Sequence, residues 1–380
     1  MKNKLNNPFV VGGYMGARYF CDRQQETDHI LKAISSKRNI TLISLRRIGK
    51  TGLLKHVKEI IEKEKNSTSV IYVDLMPTMN GNGMLNAVSS ALVRLKQREK
   101  NFFEKVLSLL STLRPKLTYD SLTGQPALEL TAETPDDIRF GFEHLLSFIS
   151  DIRHELVIML DEFQQITKYQ EKNMEHLLRT IIQTYPQIPF IFSGSSKHML
   201  EPMFNASGRP FYQSSELMYL DKIKADDYRT FILKKFNTAY KKINPGSISR
   251  IFDWTRLHTY YVQYVCNLLY ESEGSIVDDQ LVNMTFQRVL TSYDPLFASY
   301  RNLIPAHQFS LLKAIAAENG IDKPTSGAFI QKYKLNSASS VATSLKALAD
   351  KEMIVFSENR WQVYDVFFSR WLEYHYSRGR

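Results

Sequence analysis

Residues 44–54 read SLRRIGKTGLL, and the fold turns on whether this is a phosphate-binding loop or a basic turn containing a chance Gly-Lys-Thr. The loop is usually spelled G-x-x-x-x-G-K-[ST]. Gly49, Lys50 and Thr51 supply its end, while Ser44 stands where the first Gly belongs. The context favours the loop. Upstream, ITLISL (residues 40–45) is almost wholly apolar, as a strand buried on both faces requires. Downstream, Leu53, Leu54, Val57, Ile60 and Ile61 recur at helical spacing. Strand, loop and helix follow one another in the required order.

Such a loop binds phosphate because successive backbone N–H groups and a helix N-terminus form an anion nest. Here Arg47, Ile48, Gly49 and Gly52 line the candidate nest, and Gly49 permits close backbone approach. Lys50 adds a positive charge towards the β- and γ-phosphates, and the Thr51 hydroxyl is a ligand for Mg²⁺.

Three more apolar runs predict strands at 69–76 (SVIYVDLM), 156–163 (LVIMLDEF) and 189–196 (PFIFSGSS). Helical patterns separate them, so the expected fold is a three-layer α/β domain of the P-loop type with a mostly parallel sheet. Ligands in such sheets sit beyond the carboxyl ends of the strands. Asp161-Glu162 ends the third predicted strand, and Ser193, Ser195 and Ser196 end the fourth. Asp161 fits the acid that holds Mg²⁺ with Thr51, and Glu162 fits a general base for an attacking water. Taken alone, an acid pair is commonly a solvated strand cap and Ser-Gly-Ser-Ser a plain turn. A hydroxyl of Ser195 in that place would meet the γ-phosphate or the lytic water. Arg46, Arg47 and Arg209 are the candidate phosphate arginines, Arg209 serving its own or a neighbouring subunit; Arg46 and Arg47 have the bland alternative of pairing with a carboxylate elsewhere. Residues 116–130 alternate around Thr-Gly-Gln-Pro and predict a hairpin insertion, about 114–131.

Beyond residue 220 the strand signal fades. Four successive helices are expected to about residue 300, then three helices, a two-stranded hairpin around Ser-Glu-Asn-Arg and a last helix, which is the winged-helix order. The expected division is a P-loop domain over 1–218, a helical lid over 219–300 and a winged helix over 301–380.

Composition sets outer bounds. A chain of 380 residues exceeds one typical core. The net charge of +10 and pI near 9.3 permit an anionic partner without demanding one, because the basic residues are spread along the chain. No run approaches a membrane span, and glycines interrupt the short apolar run near the N-terminus, so a cytoplasmic location is expected. Cys21 and Cys266 have no metal-type spacing and are expected as buried free thiols.

The series SLRRIGKTGLL, DLM, LVIMLDEFQQI, FSGSSKHML and GRPFY resembles, in content and order, the archaeal-type ATPase family of the STAND branch, near the AAA+ and origin-recognition ATPases. YFCDRQQETDHILKAI resembles that family's N-terminal box, which implies that Phe20, Asp22 and Arg23 lie near the adenine end of a bound nucleotide. TRLHTYYVQYVCNLL resembles the family's lid segment, with Leu257 and Thr259 where Gly and Pro are usual, and YDVFFSRWL resembles its C-terminal ending. The resemblance implies ATP or ADP with Mg²⁺ as cofactors and a nucleotide-driven switch joined to a winged helix. Two functional classes remain open: an ATPase whose cycle moves the lid and winged helix, and a nucleotide-binding scaffold or DNA-binding regulator with negligible turnover. Self-association or a protein partner fits either.

In the expected recognition helix, Val341, Leu345 and Leu348 form the buried stripe. Ser337, Ser339, Ser340, Thr343, Ser344 and Lys346 are expected to face outward. Such a face suits phosphate contacts and lacks the Arg, Asn and Gln typical of base reading. Lys332, Lys334, Lys351 and Arg360 are further candidates for backbone contacts.

Overall fold

All four apolar runs form strands, and a fifth strand joins them. The computed structural model describes residues 5–64, 68–95, 100–119, 124–151, 155–171, 173–195 and 197–376; Ser196 and the hairpin turn at 120–123 lie outside these. In chain order the strands are β1 (Ile40–Ile43), β2 (Thr68–Asp74), β3 (Lys116–Tyr119), β4 (Pro126–Glu129), β5 (Glu155–Asp161), β6 (Phe190–Gly194) and β7 (Glu216–Tyr219). Five of them make a sheet ordered β2-β5-β6-β1-β7, and every neighbouring pair is parallel. The central strands β5, β6 and β1 are buried almost throughout, whereas the edge strands are not. That explains the missing prediction: ELMY of β7 is short and half-exposed, so it carries no continuous apolar run.

Alternation along β5 feeds two cores. Val157 and Met159 pack with Ile30, Leu42, Leu53 and Val57, from the layer holding helix α1 (Gln24–Ser35) and helix α2 (Lys50–Lys63). Ile158 and Leu160 pack on the opposite face with Leu85, Val88, Phe142 and Leu178. A strand whose side chains alternate between two apolar layers must be apolar at every position. The predicted hairpin is present as β3 paired with β4. It docks through Asn82, Asn86 and Ser90, spaced on one helix face, whose side-chain oxygens accept from the N–H groups of Ala132, Leu130 and Leu128 at 3.2, 2.8 and 2.8 Å.

The chain divides into two compact units, Gly12–Lys222 and the pair of segments Met1–Val11 and Ile223–Arg380. The second contains helices Ala225–Asn237, Pro245–Thr255, Thr259–Glu271 and Asp279–Leu303. Helices Ala306–Ala317, Gly327–Tyr333 and Ala338–Asp350 follow, then the hairpin Ile354–Ser357/Arg360–Val363 and helix Val366–Tyr376. Glu358 and Asn359 both have positive φ (52° and 60°), the two-residue turn whose twist suits antiparallel strands. Phe367 joins the two halves of this unit, meeting the rings of Trp254, Tyr261, Tyr264 and Tyr293 within 5.5 Å. Arg256 reinforces the joint, donating to Asn319 Oδ1, the Val363 carbonyl and Ser369 Oγ. Burial, with Arg370 nearby, pushes its guanidinium down to about 10. The N-terminal segment belongs here too. Phe9 is buried against Phe236 and Tyr270, and Asn267 donates to its carbonyl at 2.7 Å.

Cys21 and Cys266 are buried and free. Among the described residues no helix is long and apolar enough to cross a membrane.

Candidate functional site

The phosphate loop forms as its sequence requires. β1 ends at Ile43, the chain turns, and Gly49 caps α2 with φ 111°, a conformation that L side chains rarely adopt. Arg47 is also left-handed, at φ 62°. Between them Ile48 is 2% exposed and anchors the loop in the core beneath α2. Ser44 is not among the positive-φ residues; its N–H extends the ladder to Gly194, and its hydroxyl donates to the Leu45 carbonyl at 2.7 Å. The first Gly of the usual spelling is therefore dispensable here, because this backbone never uses its freedom. At Gly52 an added Cβ would come within 3.4 Å of the Phe20 ring.

The two acids meet the loop. Thr51 Oγ1 donates to Asp161 Oδ2 at 2.6 Å across 110 residues of chain, and Tyr72 Oη donates to the same oxygen at 2.9 Å. The other oxygen, Oδ1, accepts the Glu162 N–H. Asp161 is 1% exposed, so these donors are what make its burial tolerable. Lys50 is buried as well. Burial lowers its pKa from the usual lysine range, opposed by Glu162 and Asp161, while Arg46 adds to the lowering. The ammonium, the two carboxylates and the Thr51 hydroxyl thus share one strand-end cluster. Glu162 itself has φ 54°, and its Oε2 accepts from Ser195 Oγ at 2.9 Å and from Gln164 Nε2 at 2.5 Å.

Other candidates lie elsewhere. Arg209, expected at the phosphates, instead forks onto Glu175 with two hydrogen bonds, one of 3.1 Å from Nε. Ser195 faces Glu162. Arg23 is buried and left-handed, with Nη1 on Glu26 at 2.7 Å and Nη2 on the Asp221 carbonyl at 2.5 Å, tying the start of α1 to the chain after β7. Phe20 stacks on His56 of α2 with centroids 4.4 Å apart. In the recognition helix, Val341, Leu345 and Leu348 are buried as expected, but so is Ser344, whose hydroxyl turns back to the Ser340 carbonyl. That helix is packed more broadly than its apolar stripe suggests.

Three residues escaped the sequence reading. Tyr72 reads as an ordinary strand aromatic, Asp74 as a strand end, and Gln164 as a surface polar residue. Asp74 is the register partner of Asp161. Burial raises its pKa, the Met76 N–H opposes this, and Asp161 and Glu162 add to the rise.

A parallel five-stranded sheet with this loop and acid pair, followed by a winged helix, defines an ATPase-type P-loop protein. The chain belongs to the family described as an ATPase domain predominantly from Archaea, which matches residues 20–272. Residues 295–374 match a second family, described as a "probable winged helix domain". No curated relative matches by sequence. Among solved structures, the Walker-type ATPase paby2304 of Pyrococcus abyssi is similar at 15% identity and TM-score 0.66, covering 96% of this chain and 99% of its own. The ORC2 protein of Aeropyrum pernix, solved as ADPNP-ADP complexes, is similar at 16% identity and TM-score 0.57, covering 92% of each chain. At these identities the likeness is one of fold.

Proposed function

We propose that this chain binds ATP at the loop 47–52 and hydrolyses it with Mg²⁺, using the cycle to drive a switch in the unit that carries the lid and winged helix. The observation that carries this reading is the 2.6 Å contact between Thr51 and Asp161, with Lys50 buried alongside. Both residue types suit a phosphate-bound cation. Thr51 and Asp161 offer hard oxygen donors only, which fits Mg²⁺, an ion that binds through one or two carboxylates plus substrate phosphates. Bound there, Mg²⁺ would neutralise charge on the β- and γ-phosphates.

In this reading the protein residues divide the work. The N–H groups from Arg47 to Gly52 cradle phosphate oxygens. Lys50 exchanges its carboxylate neighbours for phosphate, which lets a buried ammonium keep its charge. Glu162 accepts the proton of the attacking water. Phe20, Asp22 and Arg23 belong to the base end of the site. The ORC2 structure of Aeropyrum pernix, with its ADPNP and ADP, supports nucleotide as the ligand of this fold. In this reading lid and winged helix work together through Phe367 and Arg256, which join them within one unit.

The test is multiple-turnover phosphate release in Mg·ATP, with Glu162→Gln as control. Turnover in the wild type that disappears in the variant supports the reading, and equal turnover in both sinks the general-base role. The scaffold alternative draws on Arg209: its commitment to Glu175 leaves transition-state charge to be met from elsewhere. Tight binding without phosphate release would establish it. The winged helix fits DNA backbone contacts through Lys334, Lys346 and Arg360, all exposed, whereas Lys332 pairs with Glu318 and Lys351 with Gln308.

A further inference from the structure

Two donors converge on one atom of Glu162, and the cost of placing one of them is visible nearby. Gln164 sits two residues beyond Glu162 in the 3₁₀ turn Phe163–Lys168, with only 4% of its surface exposed. Its Nε2 reaches Glu162 Oε2 at 2.5 Å, while its Oε1 is buried and finds no hydrogen-bond partner among the described residues. A buried amide with an unmet acceptor is destabilising, and an apolar chain of the same length would avoid that penalty. The neighbouring strand makes room for it. A Cβ on Gly194 would lie 2.1 Å from Gln164 Oε1 and 2.2 Å from Leu200, so the last residue of β6 must be glycine for the amide to occupy its place. The next residue, Ser195, supplies the second donor to Oε2 at 2.9 Å.

We propose that Gln164 is the positioning residue of Glu162, forming with Ser195 a two-donor clamp on Oε2 that aims the carboxylate. With Oε2 occupied, the other oxygen takes the proton from water. The left-handed backbone of Glu162 leaves its side chain unsupported by regular structure, and the clamp supplies that support from β6 and from the turn. The bland alternative is that Gln164 fills space and touches Glu162 incidentally. That alternative leaves the buried, unmet Oε1 unexplained. The inference rests on the hydrolytic reading above, and two readouts separate them.

The experiment uses the full chain with Gln164→Met, which keeps the chain length and removes both the donor and the unmet carbonyl. In multiple-turnover phosphate release, kcat is expected to fall about tenfold or more with KM for ATP within about twofold. Adding Gln164→Met to Glu162→Gln should cause no further loss. Ser195→Ala should lower kcat in the same manner and Ser195→Thr should restore it. Independently of turnover, melting of Glu162→Ala, Gln164→Met and their double variant in nucleotide-free buffer should be non-additive by about 2 °C or more. Additive melting shifts overturn the clamp. Non-additive shifts with kcat within about twofold of wild type overturn its role in positioning. A wild type that binds Mg·ATP without releasing phosphate overturns the hydrolytic reading, and the melting cycle still judges the clamp.

Discussion

Two regions of this molecule are candidates for binding an anion, and they are built on opposite principles. At the strand ends, Lys50 and Asp161 are buried, Arg47 and Glu162 sit in left-handed backbone, and Ser193 Oγ and Gln164 Oε1 are buried without partners among the described residues. Each of these features lowers the stability of the free protein. At the recognition helix the polar side chains are exposed or turned back on their own helix, as with Thr343 and Ser344. The helix starts from Ser337, whose side chain accepts from the Ser340 N–H. Among the described residues of that helix, none sits in left-handed backbone or leaves a buried polar side chain without a partner. A protein does not retain several destabilising features in one place unless the place serves something other than folding, and so the strand-end cluster is the better marked site.

Perturbation should therefore separate the two regions sharply. The largest effect belongs to Lys50→Ala, which removes the buried ammonium: affinity for Mg·ATP should fall by roughly 3 kcal/mol, on the order of 100-fold, in a fluorescent-nucleotide titration. Undiminished affinity would break the comparison outright. Next, Glu162→Gln should slow phosphate release by about 100-fold while nucleotide affinity persists, which phosphate-release kinetics and titration on the same sample can check. Arg256→Ala probes the unit that carries the recognition helix. It strands the Val363 carbonyl and removes a donor from Ser369 Oγ, so melting should report a loss of about 2–3 kcal/mol, with nucleotide affinity in the 12–222 unit retained. For the recognition helix, replacing Lys334, Lys346 and Arg360 by Ala should flatten the dependence of log K on log salt for duplex DNA, by about one for each phosphate no longer neutralised. A wild type showing no salt-dependent DNA binding would leave that face to a protein partner. Ser44→Gly is the smallest: its backbone is not left-handed, so affinity should change by less than about 1 kcal/mol. A larger gain would show that the first loop residue needs the freedom it lacks here.

Much of this architecture is legible in the sequence because burial writes itself as apolar runs. β1, β2, β5 and β6 announce themselves that way, and the loop and acid pair follow from residue types at strand ends. What escapes does so for physical reasons. β7 lies at an edge with mostly half-exposed residues, so its signal is weak. Tyr72 and Gln164 act through hydrogen bonds that depend on which atoms the fold brings within 3 Å, and neither residue type advertises that. Arg209 has the right charge for a phosphate, yet a helix placed 34 residues earlier in the chain offers Glu175 first. Lid and winged helix look like separate modules in sequence because the aromatic joint around Phe367 draws on rings far apart in the chain.

The packing of Phe9 bears on how the protein is made. Its partner Asn267 is synthesised 258 residues later, roughly 13–52 s behind it at ordinary translation rates of about 5–20 residues per second. Through that interval the whole 12–222 unit emerges and has its own core available, while the N-terminal strap waits with an aromatic ring exposed. Topologically the nucleotide unit is an insertion between two pieces of its neighbour. The neighbour cannot complete its packing until the phosphate loop has been built. An early-finished P-loop unit and a late-finished neighbour are thus written into the order of the chain.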